Sequence, residues 1–136
     1  NADVFFLYPS EAIYEGLSAI LQALTPYGKP VLINGGDVFV SRAVLDAALP
    51  NLVITGVNQE CVFTNIDFAS NRLIRQDEET TAYYEEYLAL CKSAGLDVYL
   101  TEYAGAGDSI ASTIERYCAD NGVSCFISAS VNLDTP

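Results

Sequence analysis

The chain has 136 residues, 51% of them hydrophobic, and 18 acidic against six basic side chains give a formal net charge of −12. This size and composition predict a single globular unit over residues 1–136, and the charge makes nucleic acid and anionic lipid surfaces poor partners. The chain has no histidine, which excludes Ser-His-Asp and Cys-His catalysis within it and removes the commonest metal ligand.

The first half of the sequence predicts a helix, a strand and a second helix. Ser10 can cap a helix that ends at Pro26 and Gly28 and has one apolar face. That face consists of Ile13, Leu17, Ile20, Leu21 and Leu24. The apolar run 30–33 is typical of a parallel strand buried on both faces, and it stops at Asn34, Gly35 and Gly36. A helix is expected from about Ser41, with Val44, Leu45, Ala48 and Leu49 facing inward.

The second half continues the alternation of strands and helices. A strand lies within residues 52–60, and residues 61–76 have mixed polarity without a clear period, which predicts a functional loop. A helix that starts near Asp77 and ends at Gly95 has an apolar stripe. The stripe consists of Tyr84, Tyr87, Leu88 and Cys91. Residues 97–103 form the third strand, a helix capped by Asp108 or Ser109 ends at Gly122, and residues 123–128 form the fourth strand.

Strands that alternate with helices require right-handed crossovers, so the predicted fold class is α/β with parallel βα repeats. Four such steps are about half of the roughly 250 residues of a (β/α)₈ TIM barrel, and the absence of methionine leads us to expect part of a longer protein. A flavodoxin-like open sheet is the alternative. A half-barrel exposes two sheet edges and an apolar interior, so we expect its partner to be a missing N-terminal half-barrel or a second copy in a homo-oligomer. No apolar run approaches the length of a membrane span.

Chemistry in a parallel α/β fold is concentrated at the carboxyl ends of the strands, where the loops converge. Glu60 and Glu102 end consecutive predicted strands, so in a barrel they would face one mouth, as two carboxylates must to act on a glycosidic bond. Each could instead cap a helix or pair with a basic residue. Glycosidic chemistry of this kind needs no histidine, no metal and no cofactor. We therefore predict Glu60 as the catalytic residue, with no metal site and no cofactor.

Other residues near the strand ends predict ligand binding or a structural role. Asn34 before Gly35 lets the backbone approach a ligand closely, although a tight turn explains the glycine equally well. Tyrosines and phenylalanines could stack on a sugar ring or pack in the core; these are Tyr8, Tyr99, Tyr103, Phe63 and Phe68. Residues 105–109 could bind a phosphorylated ligand in an open sheet, but Ile110 departs from the dinucleotide fingerprint. The four cysteines form no CxxC pair and are expected to be free thiols.

Several sequence pieces also occur in a distinctive order and spacing. They are Asn1-Ala2-Asp3-Val4 with Tyr8-Pro9, residues 31–36, Gly56-Val57-Asn58-Gln59-Glu60 followed by Val62-Phe63, Glu102-Tyr103-Ala104, and the strand after Gly122. Together they resemble glycoside hydrolase family 114, the endo-α-1,4-polygalactosaminidase-like (β/α)₈ barrels. The resemblance implies that the chain is the C-terminal portion of such a domain and carries its strands five to eight.

The resemblance also implies a retaining two-carboxylate mechanism. In that family an Asp at the end of strand four is the proposed nucleophile and a Glu at the end of strand six is the acid/base. Glu60 matches the Glu, and the Asp is expected immediately before Asn1. Residues expected to bind substrate are Asn34, Gly35, Asn58, Gln59, Glu102, Tyr103, Asp3 and Tyr8.

The family's substrate is an α-1,4-linked galactosamine polymer, which is cationic where it is not acetylated and would complement the net charge of −12. A polysaccharide partner goes with a secreted or cell-surface location. The alternative function is that of a non-catalytic carbohydrate-binding or structural TIM barrel.

Overall fold

The computed structural model describes residues 2–133, so Asn1 and the last three residues lie outside the described part of the chain. The helices are α1 (Val4–Leu7), α2 (Glu11–Gln22), α3 (Asp37–Leu45), α4 (Leu49–Leu52), α5 (Glu78–Ser93) and α6 (Ile110–Asn121). The strands are β1 (Val31–Asn34), β2 (Ile54–Glu60), β3 (Thr64–Asp67), β4 (Arg72–Arg75), β5 (Asp97–Tyr103) and β6 (Ser124–Ser128). Within residues 2–133, no helix combines the length and the apolar character needed to cross a membrane.

Four of the strands form one sheet in the order β1-β2-β5-β6, and β3 and β4 form a separate two-stranded sheet. Strand β1 pairs with β2 in parallel, from Val31 opposite Ile54 to Asn34 opposite Asn58. Strand β5 pairs with β6 in parallel, from Tyr99 opposite Ser124 to Tyr103 opposite Ser128. The predicted α/β class with parallel βα repeats is therefore confirmed.

The chain divides into two compact units. The first unit comprises the described residues up to Asn58 together with Tyr87–Asp97, and the second comprises Gln59–Glu86 together with the described residues from Val98 onward. That residues 1–136 form a single domain stays a prediction.

The core of the first unit contains an aromatic cluster. The ring of Tyr14 lies 5.2 Å from that of Phe39 and 5.7 Å from that of Phe5. The guanidinium of Arg42 lies 3.8 Å from the centre of the Tyr14 ring and donates two hydrogen bonds to the Glu11 carboxylate. This cluster holds α1, α2 and α3 together, since each helix contributes at least one of its members.

Helix α2 begins as predicted, with the Ser10 side chain accepting from the backbone N–H of Ile13. Its buried face differs from the prediction, because Tyr14 and Leu21 are buried while Ile20 is exposed. Strand β1 also departs from the prediction, since Leu32 is 51% exposed and the strand is not buried on both faces among the described residues.

The prediction for α3 was wrong in its start and its inward face. The helix begins at Asp37, after Gly36 takes a left-handed conformation with φ 72°, which only glycine adopts readily. Its buried face consists of Phe39, Val40 and Ala43, while Leu45 is 75% exposed. The contact of Phe39 with the aromatic cluster decides between two apolar faces that the sequence offers.

In the second unit, the predicted loop 61–76 contains a β-hairpin. Strands β3 and β4 pair antiparallel, from Thr64 opposite Arg75 to Asp67 opposite Arg72. The Asp67 carboxylate accepts from the backbone N–H groups of Ala69 and Ser70 in the turn, an arrangement that favours Asp at this position. At the open end, the Gln76 side chain donates to the backbone oxygen of Cys61. The hairpin is therefore anchored directly beside the end of β2.

The remaining elements of the second unit follow the prediction. Ser109 is the N-cap of α6 but makes no side-chain capping bond, while Asp108 accepts from the backbone N–H of Ile110, the first helical residue. Gly122 ends the helix with φ 61°. The ring of Phe63 lies edge-on to that of Tyr117, with 4.9 Å between their centres. This contact packs the segment after β2 against α6.

Candidate active site

The carboxyl ends of β2 and β5 bring together two of the predicted site residues. Glu60 is the last residue of β2 and Tyr103 is the last residue of β5. The Tyr103 hydroxyl donates a hydrogen bond of 2.7 Å to Oε2 of Glu60. Tyr103 is only 4% exposed, whereas Glu60 is partly exposed. A buried phenol thus holds an accessible carboxylate at the end of the sheet.

Glu102 lies in the core, with no exposed surface. Its carboxylate accepts five hydrogen bonds: from the backbone N–H groups of Val62 (2.7 Å), Phe63 (3.2 and 3.3 Å) and Thr64 (3.0 Å), and from the Thr64 hydroxyl. A buried carboxylate is stabilised when several donors point at it, and unpaired N–H groups would be costly. Glu102 therefore fixes the three residues that connect β2 to the hairpin. Its predicted contact with substrate stays a prediction.

Thr64 connects Glu102 to Tyr103. Its hydroxyl donates to Oε2 of Glu102 and accepts from the backbone N–H of Tyr103 at 2.9 Å. The backbone N–H of Cys61 donates to the backbone oxygen of Thr101 at 3.1 Å. These bonds fix the chain on both sides of the Glu60–Tyr103 pair, which limits how far the two side chains can separate.

Near the ends of β2 and β5, burial raises the pKa values of Tyr103, Cys61 and Glu102. Burial, with the hydrogen bond to Glu60 and its charge, raises the pKa of Tyr103 above its usual value. Burial, with the charges of Glu102 and Glu60, raises the pKa of the Cys61 thiol to about 12. Burial raises the pKa of Glu102, although the hydrogen bonds from residues 62–64 act against it. At neutral pH, Tyr103 is therefore a hydrogen-bond donor and Cys61 a neutral thiol.

Gln59 is the next predicted site residue in the second unit. It is buried, and its amide Nε2 donates to the backbone oxygen of Glu60 at 3.0 Å. Its carbonyl Oε1 has no hydrogen-bond partner among residues 2–133. Gln59 thus bonds the backbone at the end of its own strand, next to Glu60. Its predicted contact with substrate stays a prediction.

The other five predicted site residues lie in the first unit, where four of them form two pairs. Asn58 donates through Nδ2 to Oδ1 of Asn34 at 2.7 Å, across the carboxyl ends of β2 and β1. Asp3 accepts at Oδ1 from the backbone N–H of Gly36 at 2.7 Å, and a Cβ on Gly35 would lie 3.0 Å from the same oxygen. The Asp3 carboxylate therefore lies close against the backbone of Gly35 and Gly36. Tyr8 is 68% exposed after α1.

A cavity of about 300 Å³ opens in the second unit. It is lined by residues of the hairpin, among them Thr64, by Tyr103 and by the start of α6. Sequence reasoning missed this cavity because it treated residues 61–76 as a loop without structure. The missed signal was a short turn that begins at Asp67 and ends at Asn71, which has φ 51°. Asp and Asn favour such turns.

The structure bears on two other kinds of site. Among residues 2–133, no group of three or more Cys, Asp or Glu side chains lies close enough to hold a metal ion. At the start of α6, Oδ1 of Asp108 accepts from the backbone N–H of Ile110 and from Nη2 of Arg75. The carboxylate thus occupies the position that a phosphate would take at a helix N-terminus, which disfavours a phosphorylated ligand there.

The fold resembles two solved structures. The glycoside hydrolase domain of PelA from Pseudomonas aeruginosa matches with a TM-score of 0.76 and 18% identity, over 98% of this chain and 52% of that chain. A glutamate-to-alanine variant of the same domain matches with a TM-score of 0.76 and 17% identity over the same shares. The chain spans about half the length of these structures. No protein-family model and no curated protein matches the sequence.

This likeness is one of fold. It confirms the predicted fold class, a set of parallel βα repeats that corresponds to half of a TIM barrel. The fold likeness does not specify membership in family 114, a substrate or a mechanism.

Proposed function

We propose that the chain is the C-terminal portion of a TIM-barrel glycoside hydrolase domain that cleaves an α-1,4-linked (amino)galactan by a retaining two-carboxylate mechanism. The observation that carries the proposal is the hydrogen bond of 2.7 Å from the Tyr103 hydroxyl to Glu60, at the strand ends where barrel enzymes hold their catalytic groups. The glycosidase fold of the solved structures that the chain resembles supports the same class. We propose that this domain belongs to glycoside hydrolase family 114.

In this proposal Glu60 is the general acid and base. It protonates the oxygen of the glycosidic bond while a second carboxylate attacks the anomeric carbon and the bond to the leaving oxygen breaks. Glu60 then takes a proton from water, which attacks the same carbon and releases the second carboxylate. Tyr103 orients Glu60 through both steps by donating to one of its oxygens.

Glu102 is a poor candidate for the second carboxylate. It has no exposed surface, and its oxygens accept five hydrogen bonds from residues 62–64. A nucleophile must reach the anomeric carbon, and Glu102 could do so only by leaving these donors unpaired. We propose instead that the nucleophile is an Asp supplied by sequence that precedes Asn1 in the full protein, as the resemblance implies.

The net charge of −12 suits a polymer that carries free amino groups, because an acidic surface concentrates cationic ligands. A secreted or cell-surface location is part of the same proposal. The partner that completes the barrel is either the N-terminal half of the same domain or a second copy.

The test is Glu60→Gln in the complete protein, assayed on α-1,4-linked galactosamine oligosaccharides. Loss of general acid catalysis should reduce kcat about 10²- to 10⁴-fold, and the product first formed by wild type should retain its anomeric configuration by NMR. Ordinary activity of the variant would contradict the proposal. Sugar binding by wild type and variant without hydrolysis would instead support the non-catalytic carbohydrate-binding barrel.

A further inference from the structure

The cavity of about 300 Å³ in the second unit has the size of a small-molecule site. Leu73 and Arg75 of β4 lie on one side of it, Asp108 and Ile110 at the start of α6 on another, and Thr64 and Tyr103 between them. Sites for small ligands combine an apolar wall with a few fixed polar groups. This cavity has both, because Leu73 and Ile110 are apolar and Arg75 and Asp108 are charged.

The charged pair is held in place by the fold. Nη2 of Arg75 donates to Oδ1 of Asp108 at 2.7 Å, and the backbone N–H of Ile110 donates to the same oxygen at 3.0 Å. Within residues 2–133, Oδ2 of Asp108 and the Nε and Nη1 groups of Arg75 make no hydrogen bond. The pair therefore presents an acceptor and several donors side by side.

A sugar ring with two neighbouring oxygen substituents complements this arrangement. One hydroxyl can donate to Oδ2 of Asp108 while the oxygen beside it accepts from Arg75. The apolar face of the ring would lie against Leu73 and Ile110. Because Arg75 and Asp108 together carry no net charge, they favour a neutral ring, such as a hexose or an N-acetylhexosamine, over a phosphate or an ammonium group.

Tyr103 connects the cavity to the candidate catalytic carboxylate. It lines the cavity, and its hydroxyl bonds to Glu60. A ring bound in the cavity would thus be separated from Glu60 by a single side chain.

We propose that this cavity is a sugar subsite that binds one neutral pyranose unit of a glycan through Arg75 and Asp108. The inference rests on the proposed function, since that function identifies the glycan as the one cleaved beside Glu60.

The experiment measures binding by calorimetry in the complete protein carrying Glu60→Gln, which stops turnover. The probes are α-1,4-linked tetrasaccharides of N-acetylgalactosamine and of galactosamine. Arg75→Gln and Asp108→Asn should each raise the Kd for the acetylated probe about tenfold, the effect of losing one hydrogen bond to a charged group. Asn is chosen because it also accepts from a helix N-terminus.

Arg72→Gln is the matched control, because Arg72 lies on the same strand, bears the same charge and is directed to Asp67. It should change the Kd less than twofold. Three results would each overturn the subsite. They are equal effects of Arg72→Gln and Arg75→Gln on the Kd, tighter binding of the galactosamine probe, and no binding of either probe. Hydrolysis by the wild-type protein is measured separately. If the wild type is active and Arg75→Gln leaves the Kd for the acetylated probe unchanged, the subsite alone is refuted. If the wild type is inactive and Arg75→Gln weakens binding of the acetylated probe, the proposed hydrolase activity alone is refuted.

Discussion

The Tyr103 hydroxyl donates to Oε2 of Glu60 at 2.7 Å, although 43 positions separate the two residues in the sequence. Both stand at the carboxyl ends of strands, and Tyr103 is fixed at its backbone by Thr64. A phenol held in this way restricts the orientation of the carboxylate that we propose as the acid and base.

Replacing Tyr103 by Phe should lower kcat about 10- to 100-fold on a galactosamine oligosaccharide. The ring would still fill its buried position, but the hydrogen bond to a carboxylate contributes about 1.5–3 kcal/mol. KM should change little, because the hydroxyl is expected to act on Glu60. Tyr99→Phe on the same strand is the control and should retain full activity. If both variants behave alike, Tyr103 does not position Glu60.

The raised pKa of Tyr103 predicts a dependence of stability on alkaline pH. Tyrosine in an unfolded chain titrates near pH 10, and the folded value is higher because of burial and Glu60. The folded state therefore holds its proton more tightly, so this stabilisation is fully present below about pH 10 and is lost as pH rises through the folded pKa. Urea unfolding should show the stability difference between wild type and Tyr103→Phe constant up to pH 10 and shrinking above it. A stability difference that stays constant at every pH would mean that folding does not raise the pKa of Tyr103.

Replacing Glu102 by Ala should reduce the free energy of unfolding by about 3 kcal/mol or more. The change leaves three buried backbone N–H groups and the Thr64 hydroxyl without their acceptor, and each unpaired group costs about 1–3 kcal/mol unless water reaches it. Glu115→Ala, on the exposed face of α6, should change stability by less than about 0.5 kcal/mol. Denaturant titration of both variants measures the contrast, and similar losses would mean that water replaces the Glu102 carboxylate.

Two glycines should respond in opposite directions to alanine. A Cβ at Gly56 would lie 2.7 Å from the backbone oxygen of Asp97 and 2.9 Å from Cδ1 of Leu32, so Gly56→Ala should cost about 2 kcal/mol or more. A Cβ at Gly16, inside α2, meets nothing within 4 Å, and Gly16→Ala should stabilise the protein by about 0.5–1 kcal/mol. Thermal unfolding compares the two, and a neutral Gly56→Ala would show that β2 can shift away from Asp97.

Three of the four cysteines should react slowly in the native protein. Burial raises the pKa of Cys91 to about 11, and burial with neighbouring groups raises those of Cys61 and Cys118 to about 12. At pH 8, about a thousandth or less of each is thiolate, the reactive form. A thiol reagent should therefore modify Cys61, Cys91 and Cys118 slowly in the native protein and rapidly only after denaturation. Mass spectrometry of the modified peptides would identify which thiols react in each state, and rapid native modification of Cys91 would refute the prediction.

The order of strands and helices could be read from local patterns, because the run before Asn34 is continuously apolar and the stripe of α5 has a helical period. The start of α3 could not, since Phe39 and Val44 give two apolar faces of similar quality and the aromatic cluster selects one. The hairpin was missed because its two strands have only four residues each and lack alternating apolar side chains, which left the turn that begins at Asp67 as its only local signal.

Within the candidate site, Glu60 and Tyr103 were both predicted, and the structure brings them together. The role of Thr64 was beyond sequence reasoning, because a threonine in a segment without a period gives no sign that it will bond a carboxylate 38 positions away. The predicted catalytic role of Glu60 stays a prediction until activity is measured.

The bonds between Glu102 and residues 62–64 also set a constraint during synthesis of the protein. Val62 leaves the ribosome 40 residues before Glu102, which at about 5–20 residues per second is a delay of about 2–8 s. During that interval the three N–H groups have only water as a partner. The nascent hairpin can therefore form its own strands and the bond from Gln76 to Cys61 early, but residues 62–64 bond to Glu102 only once β5 has emerged.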